Sequence, residues 1–197
     1  MRHIQVGDWI ENPMAGLKVC FTVLPQQTGG QRYEAEFVYQ PFTGKGAAPL
    51  HLHPTITETF TVITGHARYH RQGKEYPAQP EERIVLPPNV PHLHPWSVTA
   101  EELRMHFVAE CTRADVDGLN RIINAVITSF GLAQDGKTDK TGQPRNVLQA
   151  AVIADYAAPG FYPAGLPIPL MRLLIGGLAA LGRAIGLRPT YEAYGEV

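Results

Sequence analysis

HLHPTITETFTVITG, residues 51–65, decides how the rest of the chain is read. His51 and His53 are two apart in an extended run. Side chains of a strand alternate faces, so both imidazoles project the same way, about 7 Å apart along the strand. Imidazole nitrogens bind metals at about 2.0–2.1 Å, so two such rings can converge on one ion. Glu58 comes five residues after His53, the wrong parity for one straight strand. The chain must therefore bend between them, and Pro54 marks the place. Beyond the bend Glu58, Phe60 and Val62 share a face, which sets a carboxylate beside apolar wall residues. A fourth candidate lies in PPNVPHLHPW, residues 87–96, where His92 follows a proline-rich turn. Three imidazoles and one carboxylate suit one divalent transition metal (Fe, Mn, Ni, Co, Cu or Zn) and leave positions for water or substrate.

These two segments resemble the motifs of the cupin superfamily, and in particular its single-domain conserved-barrel members. The first motif is a glycine-rich approach, H-x-H, three or four residues, E, six residues and G. It is met by Gly46, His51, His53, Glu58 and Gly65, with the approach from Gly46 one residue short. The second is G, five residues, P-x-G, two residues, H, three residues and N. Pro87 and His92 keep it, while Glu81, Asn89 and Trp96 depart from it. Asn tolerates a left-handed turn better than most residues. Glu81 bears on the tightness of the preceding loop, and Trp96 on the shape of the pocket floor. The resemblance spans roughly residues 30–111. It implies a mainly β fold, an antiparallel double-stranded β-helix of the cupin or jelly-roll type, with His51, His53, Glu58 and His92 as metal ligands. Cupins with this set include dioxygenases, isomerases, epimerases, decarboxylases and ligand-binding modules, and fold analogy does not choose among them. The expected function is a metal-dependent enzyme acting on a small organic molecule, a non-haem dioxygenase foremost. The alternatives are an isomerase or epimerase, or a non-catalytic ligand-binding or sensor barrel.

The 197 residues, 44% of them hydrophobic and 18% charged, suffice for one domain with an appendage and a sizeable core. A net charge of -1 offers no basic surplus for nucleic acid. Cys20 and Cys111 are too few for a disulfide framework and read as buried core thiols. MRHIQVGDWIENP lacks the apolar stretch of a secretory leader, so a cytoplasmic location is expected.

In chain order, residues 3–10 and 16–24 read as strands, and residues 32–39 alternate with Tyr33, Ala35, Phe37 and Tyr39 on one face. A hairpin turns near Gln72 and Gly73. By the resemblance, the small residue after Gly65 faces inward, which leaves His66 and His70 outward and not ligands. RIVL at 83–86 is a short strand, and residues 102–110 are the last barrel strand, with Arg104 and His106 on a face that parity cannot assign to pocket or surface. His94 shares parity with His92, so it is expected to orient the ligands or face the substrate, with a fifth-ligand role open. Phe60 is expected beside the substrate or packed behind the ligands.

The character changes after Cys111, so the chain is divided into a barrel at 1–111 and a helical extension at 112–197, packed on the barrel or on a partner subunit. DVDGLNRIINAVITSF, residues 115–130, places apolar side chains at three-four spacing, an amphipathic helix stopped by Gly131. Residues 146–157 form a second helix with Val147, Leu148, Ala151 and Ile153 inward, and PGFYPAGLPIP at 159–169 reads as a proline-rich link. Residues 169–186 are apolar nearly all round apart from Arg172 and Arg183. The uncharged window is too short for a membrane span of about 20 residues. Burial between elements is expected instead, foremost at the interface of a two-fold homodimer.

Overall fold

The computed structural model describes residues 3–197; Met1 and Arg2, at the head of the segment read for a leader, lie outside it. The strands are β1 (Trp9–Asn12), β2 (Leu17–Val23), β3 (Arg32–Tyr39), β4 (His51–Leu52), β5 (Ile56–Thr64), β6 (Ala67–Arg71), β7 (Lys74–Ala78), β8 (Arg83–Leu86), β9 (His92–Ser97), β10 (Leu103–Cys111) and β11 (Tyr162–Pro163). The helices are α1 (Val116–Gln134), α2 (Val147–Ala157) and α3 (Ile168–Ala184). The strands form two antiparallel sheets, ordered β1-β2-β3-β10-β5-β8 and β11-β4-β9-β6-β7, the layers of a cupin barrel.

Period-two alternation builds the interior. Tyr33, Ala35, Phe37 and Tyr39 of β3 are buried and lie opposite Ala109, Phe107, Met105 and Leu103 of β10, which in turn pairs with β5. Arg104 and His106 take the other face. Arg104 pairs with Glu36 and Glu102, and His106 with Glu34, so the face that parity left open is the outer one. The chain bends between His53 and Thr55, and β4 and β5 then belong to different sheets. Gln72 and Gly73 both have positive φ, 52° and 82°, the two-residue turn that matches strand twist in a hairpin.

Several local expectations are corrected. The first strand begins at Trp9; before it, Gln5 donates to the Asp8 carboxylate across a turn at Gly7, whose φ is 92°. Gly131 does not stop α1. It lies buried within the helix because any side chain there would overlap the Tyr194 ring, so its smallness serves packing against the C-terminal tail. Asp115 caps the start of α1 by accepting from the Gly118 amide at 2.8 Å. In α2, Val147 is exposed and Val152 takes the fully buried position. Cys20 is buried, whereas Cys111 is only half-buried, and both thiols are free.

Leu119, Ile122, Ile123, Ile127 and Phe130 of α1 join the same buried cluster as the barrel's Phe21, Tyr33 and Phe107, so α1 extends the barrel core. A separate small cluster joins α2 to α3 through Ala151, Val152 and Ala179. The opposite side of α3 is uncovered, with Leu173 73% and Leu181 60% exposed. Among the described residues no helix is long and apolar enough to cross a membrane.

Candidate metal centre

β4 carries His51 and leads directly into His53, β5 carries Glu58, and β9 carries His92 and His94. His51 lies directly opposite His92 in the β4–β9 pairing. The turn at Pro87–Asn89 ties back to the first histidine segment, with the Asn89 amide donating to the His53 carbonyl at 2.8 Å. Asn89 has φ 61° and Glu81 φ 73°, so both residues standing where the cupin pattern has glycine keep a left-handed backbone.

One ligand-type atom from each of His51, His53, Glu58, His92 and His94 lies within 4.8 Å of all the others. Trans donors around an octahedral ion at ~2.1 Å are separated by about 4.2 Å, so the cluster is near the size of one coordination shell. His51, His53, Glu58 and His92 are each no more than 3% exposed. His94, with 17% of its side chain exposed, is the member solvent reaches.

The hydrogen bonds prepare these rings. His51 Nδ1 meets the Pro49 carbonyl at 2.7 Å, His53 Nδ1 the Gly160 carbonyl at 2.6 Å, and His92 Nδ1 the Val90 carbonyl at 2.8 Å. A carbonyl only accepts, so each Nδ1 carries the hydrogen and each neutral ring turns an Nε2 lone pair toward the cluster. Glu58 waits there: its Oε2 is 3.0 Å from Nε2 of both His92 and His94. His53 Nε2 is 3.3 Å from Glu58 Oε1 but not aligned for a hydrogen bond, and is otherwise buried without a partner. Lone pairs facing a carboxylate repel unless a positive charge lies between them, either a second proton on the ring or a cation. This donor set therefore fits one metal ion.

The electrostatics point the same way. Burial pushes the His51 ring well below its ordinary 6.5, and the neighbouring His53, His94 and His92 add to this. Burial also opposes charge on His53, but Glu58 outweighs it and the ring is raised. Burial would raise Glu58, yet His94 and His53 hold its carboxyl well below the usual 4.5. Glu58 thus stays an anion beside a His51 ring that resists a proton and a His53 ring that favours one.

Beside the cluster, Phe60 lies 5.0 Å from His94, and Phe37 and Phe107 complete an aromatic wall at 6.4 and 6.2 Å. Trp96 lies apart under Lys45, whose ammonium is 4.8 Å from the ring centre. His66 and His70 are not in the cluster. Burial, with Asp115, pushes the Cys111 thiol up to about 11.

The sequence of residues 37–109 matches the family described as "Cupin domain". This segment is a cupin domain. No curated protein matches the chain in sequence comparison. Among solved structures, a predicted oxalate decarboxylase from Thermotoga maritima shares 16% identity, covers 56% of this chain and 96% of its own, and gives a TM-score of 0.47. A Cupin 2 conserved barrel domain protein from Salinispora arenicola shares 17%, covering 57% of this chain and 88% of its own with a TM-score of 0.41. The cupin domain of Cnp3 from Schizosaccharomyces pombe shares 9%, covering 53% and 68% with a TM-score of 0.45.

The cupin cluster includes two features that the residue pattern did not reveal. Gly160 and Phe161 come from the stretch read as a mere link. Phe161 stacks on His51 with ring centres 4.8 Å apart, and β11 pairs with β4. The aromatic pair Phe161–Tyr162 between Gly160 and Pro163 is the only signal, and by itself it points nowhere.

Proposed function

We propose that this protein is a metal-dependent cupin enzyme that acts on a small organic molecule, with His51, His53, Glu58 and His92 holding one divalent transition metal. The observation that carries the reading is the set of three Nδ1–H groups held by backbone carbonyls, which turn three Nε2 atoms toward one buried carboxylate. When bound, such an ion supplies Lewis acidity and, if redox-active, electron transfer toward dioxygen. Oxidation of a small substrate is the first chemistry to test. The chain's own residues supply the rest: Phe37, Phe60 and Phe107 wall one side of His94 with apolar surface, and His94 Nε2, 3.0 Å from Glu58 Oε2, is within reach of a proton exchanged with substrate or solvent. The near-complete burial of the other four residues favours a second reading, a non-catalytic barrel in which the ion organises a ligand pocket.

Elemental analysis of purified variants tests the site. His51→Ala and Glu58→Ala should each lose most bound metal, whereas His70→Ala should not; unchanged metal content in the first two sinks the assignment. His94→Ala should keep the metal and lower activity or ligand affinity, and loss of metal as complete as in His92→Ala would make His94 a ligand. Oxygen uptake by iron-loaded protein with phenols, diketones and thiols separates an oxygenase from a binding barrel.

We further propose that residues 112–197 are an extension of the barrel, that the protein is a homodimer through α3, and that it works in the cytoplasm, where its two free thiols are at home.

A further inference from the structure

The helical extension returns to the barrel at one place. After α2 the chain crosses to β4, where Tyr162 and Pro163 pair with Leu52 and His51, and the Ala164 amide donates to the Leu50 carbonyl at 2.8 Å. This adds a strand to the open edge of a two-residue strand that carries a candidate ligand. The same segment touches two histidines directly. The Gly160 carbonyl accepts from His53 Nδ1 at 2.6 Å, and the half-buried Phe161 ring lies 26° from parallel over His51 and 5.8 Å from His53. Close packing holds it in place: a methyl group on Gly160 would lie 2.7 Å from Ile122 Cδ1 on α1. Pro49 and Val90, which hold the other two imidazoles, lie two residues from the ring they orient, whereas Gly160 is 107 positions away from His53. One of the three ring orientations therefore depends on the extension.

We propose that Gly160 and Phe161 are working parts of the centre: the Gly160 carbonyl positions His53, and Phe161 closes the His51 side and sets which molecules reach the ion. This rests on the metal reading above. It assigns the extension a role in the site: the cluster is completed by residues outside the 37–109 cupin segment. Solvent and ligands then approach from the His94 side, along the aromatic wall, and not across His51.

The test uses the full chain with three substitutions, Phe161→Ala, Phe161→Leu and Gly160→Val, each checked for a native circular dichroism spectrum. Two readouts are taken. In metal-free protein, carbethoxylation of His51 and His53 is mapped by mass spectrometry, with the exposed His66 as the internal standard. In protein loaded with Co(II), the visible spectrum, its response to azide and the rate of ion release to a chelator are followed. Phe161→Ala should speed His51 labelling and Co(II) release several-fold and open the ion to azide. Phe161→Leu, which keeps bulk, should stay near the parent. Gly160→Val should weaken Co(II) binding about tenfold or more, the usual effect of losing a ligand-orienting partner. If Phe161→Ala leaves labelling of His51 within twofold of the parent, the proposed closure is wrong. If Gly160→Val keeps the parent's Co(II) affinity and spectrum, the proposed positioning role is wrong. A parent that binds no Co(II) refutes the metal reading and the positioning role with it, while the labelling still decides whether Phe161 covers His51.

Discussion

Glu81 and Asn89 show how far single residues can depart from a pattern while the backbone keeps its shape. Both adopt positive φ where the cupin motif has glycine, and both sit in turns that organise the site's surroundings: the Glu81 amide donates to the Val62 carbonyl, and that of Asn89 to His53. Asn is at ease there. Glu is not, since a left-handed conformation costs an L-residue about 1–2 kcal/mol. Glycine removes that strain at an entropic cost of about 0.5–1 kcal/mol. Glu81→Gly should therefore stabilise the protein, by roughly 0.5–1 kcal/mol, as read by the denaturation midpoint. A lower midpoint would mean that the Glu81 side chain has a role its exposed position does not reveal.

At the scale of elements, α3 stands out. Its inner side packs on α2 through Ala179 and Gly182, where a side chain on Gly182 would press on Val152. Its outer side carries Leu170, Leu173, Leu174, Leu181 and Ile185, all at least 44% exposed, so the chain does not bury this helix by itself. Gly177 lies near the middle of this stripe with open space around it. Two copies crossing antiparallel at Gly177 would bring Leu173 and Leu174 of one onto Leu181 of the other. The stripe is thus self-complementary, as an isologous two-fold interface requires. Light scattering should give a dimer mass for the full chain. Leu173→Lys combined with Leu181→Lys should give a folded monomer with unchanged metal content. A parent that is monomeric at high concentration refutes the interface.

For the molecule as a whole, metal, protons and stability are coupled. His51 resists its proton in the folded state, so the unfolded chain protonates first and metal-free stability falls as pH drops below about 6.5. Glu58, depressed in the folded state, contributes stability above about 4.5 that is lost as pH falls through its lower folded value. His53, raised, contributes in the opposite sense: its share is present below about 6.5 and lost as pH rises through its folded value. A metal binds only the deprotonated rings. Co(II) at about 100 times its Kd should add about 2.7 kcal/mol at pH 7.5, roughly 5–10 °C in Tm for a chain of this size. That gain should shrink below pH 6. An equal shift at pH 5.5 and 7.5 in thermal scans would show that the histidines are not what the ion occupies.

The sequence alone carried the strands and the His51–His53–Glu58 group through local regularities, and the barrel and the place of His92 through the cupin resemblance. Alternation along residues 32–39 specified a buried face, and the H-x-H spacing, the bend at Pro54 and the parity of Glu58 specified which side chains could converge. The helices are legible from their apolar period, although Gly131 reads as a stop and is not one, because the ring that needs its smallness, Tyr194, lies 63 positions downstream. Only the tertiary structure could decide that His94 touches Glu58, that Arg104 and His106 face outward, and that Gly160 and Phe161 complete the cluster. The physical reason is common to all three. Periodicity says which residues share a face, but contact across a sheet or from a distant segment depends on register and on chain return, and neither leaves a repeating mark in the sequence.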